Sequence, residues 1–260
     1  MKLRVGCKLE YISNHHTPLI TILRLRKELS QFIENETFIL EPLLPMSEYV
    51  DFYGNYCQRL ETNQGKLVID TSAIVVTSDT VEQNPEANFT LIQDLPDHTL
   101  IYLLPSRFCE SDKLNNKAFE IIIGQITGYQ MVEAIRTWVN KNIKYEYNKS
   151  TSTTSALDTL ESKHGVCRDL SHLAIALCRS VNIPARIVVG YLHNLKPMDL
   201  HAWFEAYLDG QWYTFDATQS QTTGGRVVLA YGRDAADVAT ATYFGDMKLT
   251  NMYVFVEQIA

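Results

Sequence analysis

The sequence predicts an α+β protein in which an N-terminal antiparallel β domain precedes a domain of helices followed by an antiparallel sheet. Three observations support this prediction. Short alternating or β-branched apolar runs fill residues 1–115, apolar residues then recur at helical spacing, and strand-like runs follow the helices. With 260 residues, 46% of them hydrophobic, the chain can bury a substantial core as one large domain or as two ordinary ones.

The N-terminal region reads as strands separated by turns. Its apolar runs include KLVIDTSAIVV at 66–76 and TLIYLLP at 99–105, and Pro, Gly, Asn and Asp punctuate them. A polar stretch at 109–117, CESDKLNNK, is the predicted linker because it combines charge, Asn and Ser with little that could be buried. We therefore predict one domain over residues 1–115 and a second over residues 116–260.

The first part of the second domain is predicted to form three helices. Apolar residues recur every three or four positions from about Gly128 to Ile143, which indicates an amphipathic helix. Thr154 or Ser155 can cap a short second helix. A third helix begins near Cys167 and ends before the proline at position 184.

An antiparallel sheet is predicted after the helices, from runs that begin at Ala185, His201 and Gln211. Asp209-Gly210 lies between the last two runs and is a strong signal for a two-residue hairpin turn. That turn fixes the register, so Trp203 faces Asp216 and shares a polar sheet face with it. His201 and Asp216 then become diagonal neighbours, about 7–8 Å apart.

Cys167 is the candidate nucleophile because Gly165-Val166-Cys167 places a thiol where a loop turns into a helix. The free N–H groups and the dipole of a helix N-terminus favour the reactive thiolate. A single cysteine is more commonly a small buried hydrophobe, but the position of Cys167 and the motifs downstream favour catalysis. The other cysteines are interpreted as packing residues: Cys7, Cys57, Cys109 and Cys178. An odd, scattered set argues against a disulfide framework and a zinc site.

His201 is the candidate base among seven histidines, because its strand is paired with an aspartate strand. His172 lies five residues after Cys167, about 140° around the helix, and should face away from it. His164 precedes the nucleophile in a loop and could reach it, although a single loop histidine is more commonly solvated.

Asp216 is the candidate residue that orients the histidine. Asp199 is a rival because it lies two residues before His201, but it belongs to a Pro-containing loop that precedes the strand. Glu205 shares the polar face but is about 13 Å along the strand, so a solvated or cross-strand-paired carboxylate is the better interpretation. Asp169 is expected to stabilise the first turn of the third helix.

These motifs, GVCRDLSHLAIALCRSVNIPARIVVGY and DLHAWFEAYLDGQWYTFDAT, resemble the core of the transglutaminase-like superfamily over roughly residues 127–220. By this resemblance Cys167, His201 and Asp216 correspond to the family's catalytic triad, and the fold should be similar to that of papain-like proteases. The N-terminal region looks like the β region attached to many bacterial members, which implies a bacterial origin. Ala217 departs from the proline that many relatives carry after the aspartate.

The sequence thus predicts a transglutaminase-like cysteine protease or amidase that cleaves peptide or amide bonds through a thioester intermediate. Transglutaminase-type acyl transfer to an amine and a non-catalytic interaction module are the alternatives. The Cys167 backbone N–H would supply part of the oxyanion hole, and Tyr145 or Tyr147 is a candidate for the second donor. The TTGGRV segment from Thr222 could border the cleft, but a plain flexible turn is the favoured interpretation.

The expected partner is a peptide or protein substrate. The net charge of −7 has no clustered Lys and Arg, which argues against nucleic acid. No apolar run is long enough to span a bilayer, and the first residues do not resemble a signal peptide, so the cytoplasm is the expected location. No cofactor and no metal are predicted, because no oxygen-rich calcium loop is present. The oligomeric state stays open.

Overall fold

The computed structural model describes residues 1–259. Within these residues lie three four-stranded antiparallel sheets, two of them built mainly from the N-terminal region and the third from the second half. Helices pack on one face of the third sheet. This arrangement is the predicted α+β fold, with an N-terminal sheet region before the helices.

The N-terminal strands are β1 (Lys2–Ser13), β2 (Thr17–Thr21), β3 (Gln31–Glu41), β4 (Met46–Val50), β5 (Tyr56–Thr62) and β6 (Gly65–Thr77). The helices are α1 (Asp97–Leu100), α2 (Asn115–Ile122), α3 (Gly128–Asn142), α4 (Ala156–Ser162) and α5 (Cys167–Ser180). The later strands are β7 (Lys144–Tyr145), β8 (His164–Gly165), β9 (Ala185–Leu192), β10 (His201–Leu208), β11 (Gln211–Phe215), β12 (Arg226–Gly232), β13 (Ala241–Tyr243) and β14 (Met247–Gln258). Single 3-10 turns lie at Ile92–Asp94, Ile101–Leu103, Ser111–Lys113 and Tyr147–Lys149.

The three predicted helices are present as α3, α4 and α5. In α3 the periodic apolar positions are fully buried at Val132, Ile135 and Val139. The Ser155 hydroxyl caps α4 by accepting the N–H of Asp158 at 3.4 Å. Helix α5 begins at Cys167, as the sequence predicts, and ends before Pro184.

The third sheet has the strand order β11-β10-β9-β12 and positions the candidate site. Its apolar face packs on α5, and the buried residues of this contact include Phe204 and Ala206 of β10 with Leu173 and Leu177 of α5. The side chains of β10 alternate between faces, so His201 and Trp203 lie on the opposite, polar face.

The hairpin between β10 and β11 has the predicted turn and register. Asp209 has a φ of 48° and Gly210 a φ of 87°, the left-handed pair that a two-residue turn of this kind requires. Pairing runs from the turn to Phe204 opposite Phe215. One step further along, Asp216 leaves β11 on the polar face.

Two expectations for the region before α2 are wrong. The TLIYLLP run at 99–105 forms the end of α1 and a 3-10 turn, because a short apolar run does not distinguish a strand from a buried helical segment. The polar stretch at 109–117 is not an exposed linker. Cys109 and Ser111 are buried, and the stretch contains a 3-10 turn and the start of α2.

The C-terminal strands return to the N-terminal sheets. β14 pairs antiparallel with β1 from Leu3 opposite Gln258 to Ser13 opposite Met247, and β13 pairs with β2. The domain boundary at residue 115 stays a prediction. The last two strands, β13 and β14, lie in the predicted second domain and pair with strands of the first. Pairing partners more than 200 residues apart in the sequence leave no local signal.

The two halves of the chain share a hydrophobic core. Val5 and Ile69 of the N-terminal sheet belong to the same buried cluster as Tyr191 of β9 and Val227 and Leu229 of β12. The third sheet therefore packs against the helices on one side and contributes to the N-terminal core on the other. Within residues 1–259, no helix has the length and apolar character needed to cross a membrane.

Candidate active site

Cys167 is the first residue of α5 and is half-buried, whereas the four other cysteines are buried. The short parallel pair β7–β8 aligns the chain just before it. In that pair Tyr145 lies opposite Gly165, and the N–H of Glu146 donates to the Gly165 carbonyl at 2.9 Å. The loop that delivers the thiol is thus held by backbone pairing.

The first turn of α5 is stabilised by Asp169, as the sequence predicts. Its buried carboxylate accepts the Val166 N–H at 2.9 Å and forms an ion pair with Arg168 at 2.8 Å. Gly165 is required by this packing, since a Cβ at that position would lie 2.8 Å from the Asp169 Cβ. The Cys167 backbone N–H stays at the free end of the helix, where negative charge is favoured.

His201 and Asp216 are in direct contact. The Nε2–H of His201 donates to Asp216 Oδ2 at 2.8 Å, and the two residues are 2% and 0% exposed. The other oxygen of Asp216 accepts the backbone N–H and the hydroxyl of Thr218, at 2.9 and 2.6 Å. Asp216 is therefore fixed from two sides, and it fixes the His201 ring.

The Cys167 thiol interacts with the ring of His201. Because Nε2 is bonded to Asp216, the ring nitrogen that remains for the thiol is Nδ1. The structure thus brings Cys167, His201 and Asp216 together in the order thiol, imidazole, carboxylate. That order is the one that nucleophilic catalysis by a base-activated side chain uses.

The charge environment favours a protonated His201 beside an ionised Asp216. Burial alone opposes protonation of His201, but Asp216 and the Cys167 thiol outweigh it and raise the pKa of His201 to about 9. Burial alone would raise the pKa of Asp216, but His201 and Arg226 hold that pKa well below its usual range. The imidazolium that a proton transfer from Cys167 would create is therefore stabilised in place.

Arg226 is a site residue that the sequence reasoning missed. Its Nη2 donates to Asp216 Oδ2 and to Gln219 Oε1, both at 2.9 Å, and its Nε donates to the Thr223 carbonyl at 2.8 Å. The Thr222 hydroxyl also accepts the Asp216 N–H at 3.2 Å. The TTGGRV segment is therefore not a plain flexible turn, since it anchors the carboxylate. The only sequence signal was an arginine at the start of an apolar run.

Helix α3 also holds the loop that follows Asp216 through hydrogen bonds to its carbonyl groups. The buried Arg136 donates to the carbonyls of Gln219 and Ser220, at 2.5 and 3.1 Å, and Asn140 donates to the Ala217 carbonyl at 2.9 Å. The departure from proline at Ala217 leaves this carbonyl contact in place. The loop after Asp216 is thus tied to a helix that also packs on α5.

The rival acids take other partners. Asp199 accepts the N–H of its neighbour Leu200 at 2.7 Å, and burial raises its pKa. Glu205 pairs across the strands with Arg186, at 2.7 and 2.8 Å, which is the cross-strand pairing expected for it. Among these acids, Asp216 is the one that accepts the hydrogen bond from His201.

The rival histidines lie elsewhere. His172 is fully buried, stacks on Phe108 at 5.3 Å and accepts the Ala235 N–H at 3.0 Å, and burial lowers its pKa to about 3. His164 lies 3.6 Å from Glu146 and hydrogen-bonds to the Ser162 carbonyl. No group of three or more His, Cys, Asp or Glu side chains in residues 1–259 is arranged to hold a metal ion.

Tyr145 is the tyrosine that the structure places beside Cys167. Its hydroxyl is within hydrogen-bonding reach of the Cys167 backbone, and its ring packs edge-on against Tyr147 at 5.3 Å. Burial, the Cys167 thiol and Tyr147 together raise the pKa of Tyr145, so the hydroxyl keeps its proton at neutral pH. It can therefore act as a hydrogen-bond donor next to the thiol.

Comparisons with known proteins show which family and which structures this chain is similar to. The family model of the transglutaminase-like superfamily matches residues 115–217. A crystal structure from Cytophaga hutchinsonii, of a protein provisionally named a cysteine protease, matches with a TM-score of 0.93 and 35% identity, covering 100% of this chain and 91% of that one. An uncharacterised protein of Mycobacterium leprae is 26% identical over 204 residues, which are 74% of this chain and 73% of that protein.

The fold and these matches define a class, that of cysteine hydrolases and related acyltransferases. Within that class the chain belongs to the transglutaminase-like superfamily. The matched residues contain α3, α5 and the β10–β11 hairpin, and thus the three side chains of the candidate site.

Proposed function

We propose that this protein is a cysteine hydrolase that cleaves peptide or amide bonds through a thioester on Cys167. The observation that carries the proposal is the contact between His201 and Asp216 at 2.8 Å, with the other side of the His201 ring facing the thiol at the start of α5. The 35% identical neighbour, provisionally named a cysteine protease, supports the same class of reaction.

The proposed reaction begins with the Cys167 proton already on Nδ1 of His201, because the raised pKa of His201 favours the thiolate–imidazolium pair. The thiolate then attacks the carbonyl carbon of the amide, and the resulting tetrahedral intermediate expels the amine, which takes the proton from His201. A water molecule, deprotonated by His201, attacks the thioester. The carboxylic acid product leaves, and Cys167 is again a thiolate beside the protonated His201.

Asp216 serves as the positioning residue of this mechanism. It holds His201 in the tautomer that leaves Nδ1 facing the thiol, and it stabilises the imidazolium formed at each proton transfer. The contacts from Thr218 and Arg226 keep the carboxylate ionised and immobile. The fold therefore holds the base in its working position before substrate binds.

The developing oxyanion would be stabilised by the Cys167 N–H together with the Tyr145 hydroxyl. The backbone N–H lies at the free end of α5, and Tyr145 reaches the same backbone position from β7. Two such donors are the arrangement that acyl-transfer sites use for the tetrahedral intermediate.

Acyl transfer to an amine is the second candidate, because the family match covers the residues that would form the same thioester. The two reactions differ only in whether water or an amine attacks that thioester. A transfer enzyme also needs an acceptor site that excludes water.

Acyl-enzyme trapping tests both candidates. The full chain is incubated with p-nitrophenyl acetate, and the acylated residue is located by mass spectrometry in the wild type, in Cys167→Ala and in Cys178→Ala as a cysteine control. Acylation at Cys167 that water releases supports the hydrolase, and release that only a primary amine accelerates supports the transferase. Absence of any adduct on a folded protein would favour the interaction module instead.

A further inference from the structure

A cavity lies on the polar face of the third sheet, beside the candidate site and separate from the thiol. Its volume is about 500 Å³, within the range of small-molecule sites. Trp203, Trp212 and Arg226 line it from the third sheet. The segment at 77–82, which leaves the N-terminal β6, lines it from the other half of the chain.

This segment is held tightly over the sheet. The Gly225 N–H donates to the Ser78 carbonyl at 2.8 Å, and a Cβ on Gly224 would lie 2.2 Å from the carbonyl carbon of Asp79. The Thr77 hydroxyl donates to the Arg226 carbonyl at 2.8 Å. The N-terminal region therefore forms one wall of the cavity.

Two side chains that line this cavity each carry a buried donor with no hydrogen-bond partner within residues 1–259. One donor is Nη1 of Arg226, and the other is the indole Nε1 of Trp203. The two residues are 8% and 1% exposed. The guanidinium carbon lies 4.9 Å from the centre of the Trp203 ring. Because unpaired buried donors are costly, two of them in one cavity indicate an acceptor group that binds there.

Two arginines and two glutamates line the cavity, and each glutamate has a partner: Glu205 pairs with Arg186, and Glu82 accepts from the Gln211 amide. Arg186 is neutralised by Glu205, and its guanidinium is stacked between Tyr231 at 3.6 Å and Trp212 at 4.1 Å. In Arg226, Nη2 and Nε donate to protein acceptors, whereas Nη1 has no acceptor within residues 1–259. Glu82 and Glu205 would repel a dianion such as phosphate more strongly than a monoanion, and the two oxygens of a carboxylate match one guanidinium N–H and one indole N–H.

We propose that this cavity is a binding site for a carboxylate, with one oxygen accepting from Arg226 Nη1 and the other from Trp203 Nε1. Arg226 also holds Asp216 through Nη2, so a bound carboxylate shares one guanidinium with the residue that orients His201. The site itself does not depend on the proposed hydrolysis. Only the assignment of the carboxylate to a substrate, rather than to a separate small molecule, rests on the proposed function.

Indole N–H resonances give a direct test, because the protein has three tryptophans and two of them line the cavity. The full chain, labelled with ¹⁵N-tryptophan, is titrated with sodium acetate, with acetamide as a neutral match and with sodium chloride at equal ionic strength. We expect a saturable shift of the Trp203 signal with acetate alone. The Trp138 signal, from helix α3, should not follow it.

Two conservative variants test the donors. Arg226→Lys keeps the positive charge but removes Nη1, and it should weaken acetate binding about tenfold. Trp203→Phe keeps the ring and removes Nε1, and the Trp212 signal should report binding weakened about fivefold. Trp138→Phe is the matched control with unchanged binding. The proposal is overturned if acetate gives no saturable shift, if acetamide binds equally well, or if both cavity variants bind acetate like the wild type.

Kinetics then separate the two sources of the carboxylate. If the carboxylate belongs to the substrate, acetate should compete with the substrate and raise KM. Arg226→Lys should then lose the preference for carboxylate-bearing substrates. If it is a separate ligand, acetate changes kcat or its pH dependence at constant KM. An inactive protein would refute the proposed hydrolysis, whereas the acetate titration would still decide the binding site.

Discussion

The Asp216 carboxylate lies between two cations, His201 and Arg226, and this arrangement sets the charge of the proposed base. The pKa of His201 is raised from 6.5 to about 9. A raised folded-state pKa contributes stability that is fully present below about pH 6.5 and is lost as the pH rises through about 9. His201 should therefore be an imidazolium at neutral pH in the resting protein.

Asp216→Asn tests this ionisation. The neutral amide removes the charge that favours the imidazolium, so the pKa of His201 should fall below its wild-type value of about 9. Hydrolysis should fall about a thousandfold or more, because the amide also favours the wrong tautomer. NMR titration of the His201 ring protons measures the first effect. A titration unchanged by the substitution would show that Asp216 does not control the base.

Tyr145→Phe removes the proposed second oxyanion donor and keeps the ring. We expect kcat to fall about a hundredfold with little change in KM, since the hydrogen bond would form mainly in the transition state. Tyr147→Phe is the matched control, because that tyrosine packs against Tyr145 from the exposed surface. Equal effects of the two substitutions would remove Tyr145 from the oxyanion hole.

At the scale of elements, the start of α5 determines where the thiol lies. Asp169 and Asp158 both accept the N–H of the residue before their helix, Asp169 in α5 and Asp158 in α4. Replacing either by Ala should lower the free energy of unfolding by about 1 kcal/mol or more. Only Asp169→Ala should also slow alkylation of Cys167, because only α5 carries the thiol. Urea unfolding and iodoacetamide kinetics measure the two effects, and equal alkylation rates in both variants would contradict this account.

The elements also show what could be predicted from the sequence. The β10–β11 hairpin was predictable because Asp209-Gly210 encodes its turn locally, and the register then brought His201 towards Asp216. Arg226 was not predictable, because its bond to Asp216 depends on how a loop folds back over the sheet. The run at 99–105 was misjudged because its apolar residues suit a strand and a buried helical turn equally well.

At the scale of the whole molecule, the two halves should unfold together. Leu229 of β12 is fully buried in the core that the N-terminal sheet forms, and β14 closes that sheet against β1. Neither contact was predictable, because both join segments far apart in the sequence. Leu229→Ala should lower the free energy of unfolding by about 3 kcal/mol. Tryptophan fluorescence and far-UV circular dichroism should follow one transition, and two separated transitions would show independent domains.

The pairing of Cys167 with His201 is the central claim, and alkylation kinetics test it most directly. The four other cysteines are buried, so selective labelling alone would report only exposure. The informative comparison is the iodoacetamide rate of Cys167 across pH in the wild type and in His201→Ala, with the modified residue located by mass spectrometry. We predict rapid reaction below roughly pH 8.5, where free thiols react slowly, and a loss of about tenfold or more in the variant. Matching pH profiles in the two proteins would contradict the thiol–imidazole pair and the catalytic function built on it.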